Sequence, residues 1–432
     1  MRRRAPPTRA RQQKSRRSGS LRVIHASELL TLRGGSAPRT GSEAGRLGGI
    51  EDGAVFIEGD RIVDVGTTQA ILRRHPRASR TIDASDCIVL PGFVDAHTHA
   101  AFAGSRAHEV EWKAQGLSYR DIAERGGGIL QTVRATRDAS ESDLAASTAH
   151  RLGSMQGFGT TTVEIKSGYG LRTPDELKLL RSSRKAETLA GMDVVTTFLG
   201  AHAVPTEFSG RSEDYVRSVI KDTLPAVAEA GLATFCDVFV DEGYFSPEQG
   251  RRLLETGSAL GLRPKVHADE LSDAGGCSLA AETGAVSADH LNHASADGIA
   301  GLARAGVIGV LLPATSLTSR LPFADGRRLV TAGVPLALGT DFSPNTWCES
   351  MPLVIALACH HNGLTAAEAI VAATINAAHA VGRGDRVGSL EPGKAADLVV
   401  LEIPTYHDLG YRLGSNVVRE VVSQGRVVPS GA

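Results

Sequence analysis

The sequence predicts an α/β fold: a (β/α)8 barrel with a small β-sandwich domain assembled from both chain ends. Three observations predict it. Eight short runs rich in β-branched residues recur through the middle of the chain, helical stretches separate most of them, and further strand-like runs flank the series at both ends. Hydrophobic residues make up 42% of the chain but aromatics only 4%, so burial rests on Ala, Val, Leu and Ile, the usual filling of sheets covered by helices.

Residues 1–20 carry Arg2, Arg3, Arg4, Arg9, Arg11, Lys14, Arg16 and Arg17 and no acid, which predicts a basic disordered tail. Residues 21–86 open the small β domain, with a hairpin of Ala54–Glu58 and Arg61–Val65 around the turn dipeptide Gly59-Asp60. The barrel takes residues 87–384. Its strands are predicted at Cys87–Asp95, Thr160–Ile165, Asp193–Leu199, Thr234–Val240, Pro264–His267, Ala285–His290, Val307–Leu312 and Val334–Thr340. Helices are predicted at Glu176–Leu189, Pro247–Ala259, Asp297–Ala305 and Leu321–Thr331, and such crossovers force the strands to be parallel. Residues 100–158 interrupt the spacing. Their Arg125-Gly-Gly-Gly128 is too glycine-rich for a continuous helix and predicts a loop over the barrel mouth. Residues 385–432 complete the small domain with strands at Ala396–Leu401 and Val417–Val428.

The net charge of −1 includes the basic tail, so the body is acidic and nucleic acid is not expected as a partner. No run of about 18 apolar residues occurs, which excludes a membrane-spanning helix, and no apolar stretch follows the tail as a secretory signal would require. A cytoplasmic enzyme acting on a small molecule is the expectation, with a homodimer the prior for its size. The five cysteines form no C-x-x-C pair and read as reduced thiols.

In such a barrel the chemistry sits where the strands end. The first strand delivers Ala96-His-Thr-His99, whose two imidazoles share a side because strand side chains alternate. The fifth ends at His267, followed by Ala268-Asp-Glu270; the sixth ends at Asp289-His290; the eighth leads to Asp341. Three histidines and an aspartate at strand ends make a nitrogen-and-oxygen donor set for one divalent ion, Zn2+ or Fe2+, with room for water. Glu270 reads either as a proton shuttle over the metal or as an acid at a helix N-terminus. Lys166 would matter if two metals were bridged by a modified lysine. It ends the second strand, whereas the fourth is where that lysine stands in metal hydrolases of this architecture and ends here in Asp241-Glu242, so one metal is expected. Met155, Met192 and Met351 read as gap fillers, Trp112 and Trp347 as packing near the mouth, and His360-His361 as a half-exposed pair.

Pro91-Gly-Phe-Val-Asp-Ala-His-Thr-His99, with His267, His290 and Asp341, resembles the amidohydrolase superfamily. Further blocks narrow the resemblance to the imidazolonepropionase family. They are Phe102-Ala-Gly-Ser-Arg106, Gly126-Gly-Gly-Ile129, Thr161-Thr-Val-Glu-Ile-Lys-Ser-Gly-Tyr-Gly-Leu171, Thr197-Phe-Leu-Gly-Ala-His-Ala203, Lys265-Val-His-Ala-Asp-Glu-Leu271 and Ser287-Ala-Asp-His-Leu291. That resemblance implies hydrolysis of 4-imidazolone-5-propanoate to N-formimidoyl-L-glutamate in histidine degradation. It implies one metal on His97, His99, His267 and Asp341, substrate contacts from Arg106, Tyr169, His202, Glu270 and Thr346, and catalytic roles for Glu270, His290 and Asp341. Arg106 suits the propionate carboxylate because a guanidinium pairs with it as a fork. The chain departs from the family after the aspartate: Ser343 and Asn345 stand where Asn and Gly are expected at product-holding positions, with Asn345 able to take Gly's left-handed backbone. Ala100-Ala101 replaces a bulkier pair. Two alternatives stay open: another cyclic amidase or deaminase of the superfamily acting on a related heterocycle, and a scaffold that has lost catalysis.

Overall fold

Gly92 divides the run Cys87–Asp95 between two sheets. Ile88–Pro91 belongs to an outer mixed sheet and Phe93–Asp95 opens the barrel, so the single strand expected here is two. A β-carbon at Gly92 would lie 2.2 Å from Thr161 Oγ1, a distance only glycine avoids. The computed structural model describes residues 19–117 and 119–429; of the tail expected to be disordered, residues 1–18 lie outside the described residues and Ser20 already opens a strand.

Eight parallel strands follow in chain order: Phe93–Asp95, Thr160–Lys166, Asp193–Ala201, Phe235–Val240, Arg263–Ala268, Ser287–His290, Ile308–Leu311 and Leu336–Leu338. All but the start of the fifth are buried throughout, because helices cover the outside and side chains fill the inside. The ring closes through backbone bonds from Ala96 N–H to Leu338 O (3.3 Å), Asp341 N–H to His97 O (3.0 Å) and His99 N–H to Phe342 O (2.8 Å). Closure of the barrel therefore brings His97 and His99 beside Asp341, residues some 240 positions apart in the chain.

The stretch 100–158 is not a loop. It folds as helices Glu109–Ala114, Tyr119–Glu124, Gly128–Asp138 and Glu141–Gly157. Its glycines separate helices rather than abolish them, and Gly128, at φ +68°, opens the third. Later crossovers include Thr173–Ala190, Pro247–Ala259, Ala296–Ala305 and Gly326–Ala332. The last starts at residue 326 rather than 321, because Asp325 caps it by accepting Arg328 N–H at 2.9 Å.

Both chain ends build the outer sheet. Its strands lie in the order Arg426–Val427, Val418–Ser423, Leu398–Leu401, Ile88–Pro91, Ser20–Leu30, Gly49–Glu58 and Arg61–Thr67, with Arg80–Asp83 also paired to Ser20–Leu30. The predicted hairpin turns at Gly59-Asp60, and Val417–Val428 is two short strands rather than one. The longest strand, Ser20–Leu30, is absent from the sequence expectation; a bulge between Val23 and Ala26, with His25 at φ +62°, interrupts its alternation. Among the described residues no helix is long and apolar enough to cross a membrane, and the five cysteines are free.

Candidate active site

Three imidazole nitrogens and a carboxylate oxygen converge at the strand ends. His99 Nε2 lies 3.3 Å from His97 Nε2 and 3.4 Å from His267 Nε2. Asp341 Oδ1 lies 3.6 Å from His97 Nε2 and 3.5 Å from His99 Nε2. A tetrahedron with its centre about 2.1 Å from each corner, the spacing of zinc to its ligands, has edges of about 3.4 Å. His97 Nδ1–H donates to Asp289 Oδ2 at 2.6 Å, so His97 Nε2 presents a lone pair to the others. His267 Nδ1 lies 3.0 Å from Asp237 Oδ2, close but off the hydrogen-bond line, and His99 Nδ1 is buried with no hydrogen-bond partner. Burial, with Lys166 beside His97 and His202 beside His99, holds both imidazoles well below their ordinary pKa. Lone pairs and a carboxylate that face one another at these distances repel unless a cation sits among them, and nitrogen and oxygen donors suit Zn2+ or Fe2+.

Below this point the barrel interior is filled with charge. Lys166 Nζ is 2.8 Å from Asp237 Oδ2, 2.9 Å from Glu164 Oε2 and 3.3 Å from Asp289 Oδ2, and Lys265 Nζ is 2.8 Å from Glu164 Oε1. Ser287 donates to Asp289 Oδ1 at 2.6 Å and Thr197 donates to Glu164. Sequence reasoning found only Lys166 here and missed Glu164, Asp237, Lys265 and Asp289. The signal was present: each is a charged residue inside a β-branched run, and such a residue stays buried only when paired.

His290 and Glu270 stand beside the convergent donors. The ring of His290 is 5.2 Å from that of His267 and 5.4 Å from that of His97. Strand alternation would turn His290 away from the side that Asp289 faces; its φ of +80° brings the ring back. Its Nε2 lies 3.6 Å from Glu270 Oε2. Glu270 is not the acid of a helix N-terminus, since the next helix begins at Gly276 and Asp269 bonds its Gly276 and Cys277 N–H groups at 2.8 and 3.0 Å. On its other side, Leu271 N–H donates to Asp241 Oδ2 at 2.7 Å, so the residues before and after Glu270 are both pinned. Burial, then Asp341 and Asp241, pushes the Glu270 carboxyl well above the usual range. Burial also pushes Asp341 up to about 6, against the hydrogen bond that Thr315 Oγ1 donates to its Oδ2 at 2.5 Å.

A cavity of about 50 Å³ is lined by His99, Arg106, Tyr169, His202, His267, Glu270, His290, Asp341, Ser343 and Asn345, among others. The His202 ring stacks on His99 at 4.9 Å, its Nδ1–H donates to Gly168 O at 3.1 Å, and burial followed by His267 lowers it to about 3. Tyr169 lies 5.3 Å from His202, ring to ring. The Arg106 fork expected to meet a substrate carboxylate already grips Glu109 at 2.9 and 2.8 Å, with Asn345 Oδ1 3.5 Å from Nη2. Asn345 Oδ1 also accepts from Lys113 Nζ at 2.9 Å.

Two expectations need correction. Asn345 is not among the residues in the left-handed region; Asp341, at φ +49°, takes that strain instead. Thr346, expected to touch substrate, does not line the cavity, because the turn Ser343–Thr346 folds it inward, 3.1 Å from Thr315 Oγ1 and 3.0 Å from Thr318 Oγ1. It braces the hydroxyl that holds Asp341. At Ala100-Ala101 the packing is closed, both residues being fully buried, with Arg151 donating to Ala100 O and Phe102 O.

The chain matches the model of the amidohydrolase family over residues 88–428 and that of the bacterial imidazolonepropionase-like composite domain over residues 53–78. An imidazolonepropionase of Geobacillus kaustophilus (strain HTA426) is 49% identical over 411 residues, 94% of this chain and 97% of the relative. One of Symbiobacterium thermophilum is 49% identical over 413 residues, again 94% and 97%. Among solved structures, an adenosine deaminase from Xanthomonas campestris with bound zinc has a TM-score of 0.67 at 21% identity, covering 94% of this chain and 92% of that one. On this evidence the chain belongs to the amidohydrolase family and, within it, to the imidazolonepropionases.

Proposed function

We propose that the chain hydrolyses the cyclic amide C–N bond of 4-imidazolone-5-propanoate to N-formimidoyl-L-glutamate, in histidine degradation, with one divalent ion, Zn2+ or Fe2+, on His97, His99, His267 and Asp341. What supports this most is the placement of Glu270 and His290 beside converging nitrogen and oxygen donors, in a chain 49% identical to imidazolonepropionases. When bound, the ion supplies Lewis acidity, polarising a carbonyl and lowering the pKa of water from near 16 toward about 7.

Asp341, held at its other oxygen by Thr315, takes a proton from the attacking water. The water oxygen bonds to the ring carbonyl carbon, and His290 donates a hydrogen bond to the carbonyl oxygen as charge develops there. Glu270, whose raised carboxyl favours the protonated form, gives its proton to the departing ring nitrogen as the C–N bond breaks. The proton on Asp341 then restores Glu270, so one water is consumed and neither carboxyl is changed. Arg106, steadied by Glu109 and Asn345, attracts the propionate arm; Tyr169 and His202 line the ring side, and Ser343 lies where product departs.

The experiment is to offer purified protein 4-imidazolone-5-propanoate, follow its ultraviolet absorbance, and compare a panel of hydantoins and aminopyrimidines. Decay of the imidazolone alone supports the reading; turnover of the panel alone points to another cyclic amidase or deaminase. A homodimer working in the cytoplasm is the accompanying proposal, checked by light scattering and cell fractionation.

A further inference from the structure

The sequence singles out Lys166, and the mechanism above leaves it without a task. Its side chain is wholly buried, and its Nζ sits among Asp237, Glu164 and Asp289 at 2.8, 2.9 and 3.3 Å. That occupation leaves no role for it as a modified bridge between two metals. Two of its three partners are also the carboxylates beside the outer nitrogens of proposed metal ligands: Asp289 Oδ2 accepts from His97 Nδ1 at 2.6 Å, and Asp237 Oδ2 lies 3.0 Å from His267 Nδ1. In each case the oxygen that meets the lysine is the oxygen that meets the histidine. The lysine thus bridges two carboxylate–histidine pairs: Asp289 of the sixth strand with His97 after the first, and Asp237 of the fourth strand with His267 of the fifth.

We propose that Lys166 is a positioning residue for the metal centre: its ammonium fixes the Asp289 and Asp237 carboxylates where they orient His97 and His267, so that both Nε2 atoms point at one ion.

Charge supports the assignment. Lys166, Lys265 and a divalent ion balance Glu164, Asp237, Asp289 and Asp341, so the buried set is neutral only with both lysines and the ion present. Although burial pulls Lys166 down, Asp237, Glu164 and Asp289 hold its pKa above the ordinary lysine value, which keeps the ammonium charged in the core. Lys265 provides an internal control. It is equally buried and pairs with Glu164 at 2.8 Å, yet the carboxylates next to His97 and His267 are bridged by Lys166. Loss of either lysine leaves buried carboxylate uncompensated, but only loss of Lys166 should disturb the ligands. Outer partners of metal-binding histidines are commonly worth 10- to 100-fold in metal affinity.

The inference rests on the metal reading, and its test separates the two. The zinc dissociation constants of the parent, K166M and K265M are measured by competition with a chromophoric chelator at one pH, with thermal midpoints recorded alongside. The expected result is zinc binding about 10- to 100-fold weaker in K166M, with K265M within about threefold of the parent despite a similar fall in midpoint. If K166M does not fold, the double variant K166M/E164Q, which removes a carboxylate with the lysine, carries the same comparison. Zinc bound by K166M or the double variant as tightly as by the parent, or weakened equally in K265M, would overturn the role of Lys166. A parent that binds no stoichiometric zinc or iron(II) would instead overturn the metal reading itself.

Discussion

His97 Nδ1 donates a hydrogen bond to Asp289 Oδ2 at 2.6 Å, both side chains lying fully buried in the barrel. The bond fixes the tautomer that leaves His97 Nε2 to face His99, His267 and Asp341. Replacing Asp289 by Asn keeps the shape but weakens the acceptor. D289N is expected to bind zinc about 10- to 100-fold more weakly, read by chelator competition. Equal affinity in parent and variant would remove Asp289 from the account.

Glu270 is the acid in the mechanism, and the sign of its pH effect follows from its raised pKa. A carboxyl held above its usual range keeps its proton to higher pH and can donate it; as pH rises through that elevated value the donor is lost. The parent's kcat profile is therefore expected to fall on its alkaline limb. E270Q, which cannot exchange a proton, should lose about 10²- to 10⁴-fold in kcat and lose that limb. A variant with an unchanged profile would assign the proton transfer to another group.

Arg106 is expected to act on binding more than on chemistry. A hydrogen bond to a charged group is worth about 1.5–3 kcal/mol, so R106M should raise KM by about tenfold to a hundredfold while kcat changes less. The matching control is an analogue lacking the propionate carboxylate, for which parent and variant should behave alike. If the variant were equally impaired on both substrates, the role assigned to the guanidinium would fail.

Asp397, just before the outer-sheet strand Leu398–Leu401, predicts a pH dependence of stability far from the chemistry. Burial pushes its carboxyl up to about 7, against the hydrogen bond donated by Gln424 N–H at 2.6 Å. The folded state therefore favours the protonated form, and stability falls as pH rises from about 4 through about 7, by up to about 4 kcal/mol for this one group. D397N should be free of that loss, so the variant's thermal midpoint relative to the parent's should climb by a few degrees between pH 5 and pH 8. A constant difference would show that Asp397 is charged in the folded protein.

Much of this was legible because the barrel imposes simple rules on the chain. Runs such as Thr160–Lys166 and Phe235–Val240, buried throughout, show as short segments rich in Thr, Val, Ile and Phe, and strand ends carrying His97, His99, His267 and Asp341 stand out against them. What the sequence hid depends on distant packing. Nothing local to Cys87–Asp95 says that Gly92 hands the chain from one sheet to another; that follows from Thr161 pressing against it. The helices within 100–158 were masked by glycines that end one helix and open the next. The inward turn of Thr346 depends on Thr315 and Thr318, 31 and 28 residues away. The charged layer of Glu164, Lys166, Asp237, Lys265 and Asp289 becomes interpretable only when the second, fourth, fifth and sixth strands share one barrel interior.

The most direct test of the central claim is activity on 4-imidazolone-5-propanoate after exhaustive chelation, followed by titration with zinc or iron(II). The account predicts loss of turnover in the stripped protein and full recovery at one equivalent of metal per chain. Undiminished turnover in protein proven free of metal would contradict it.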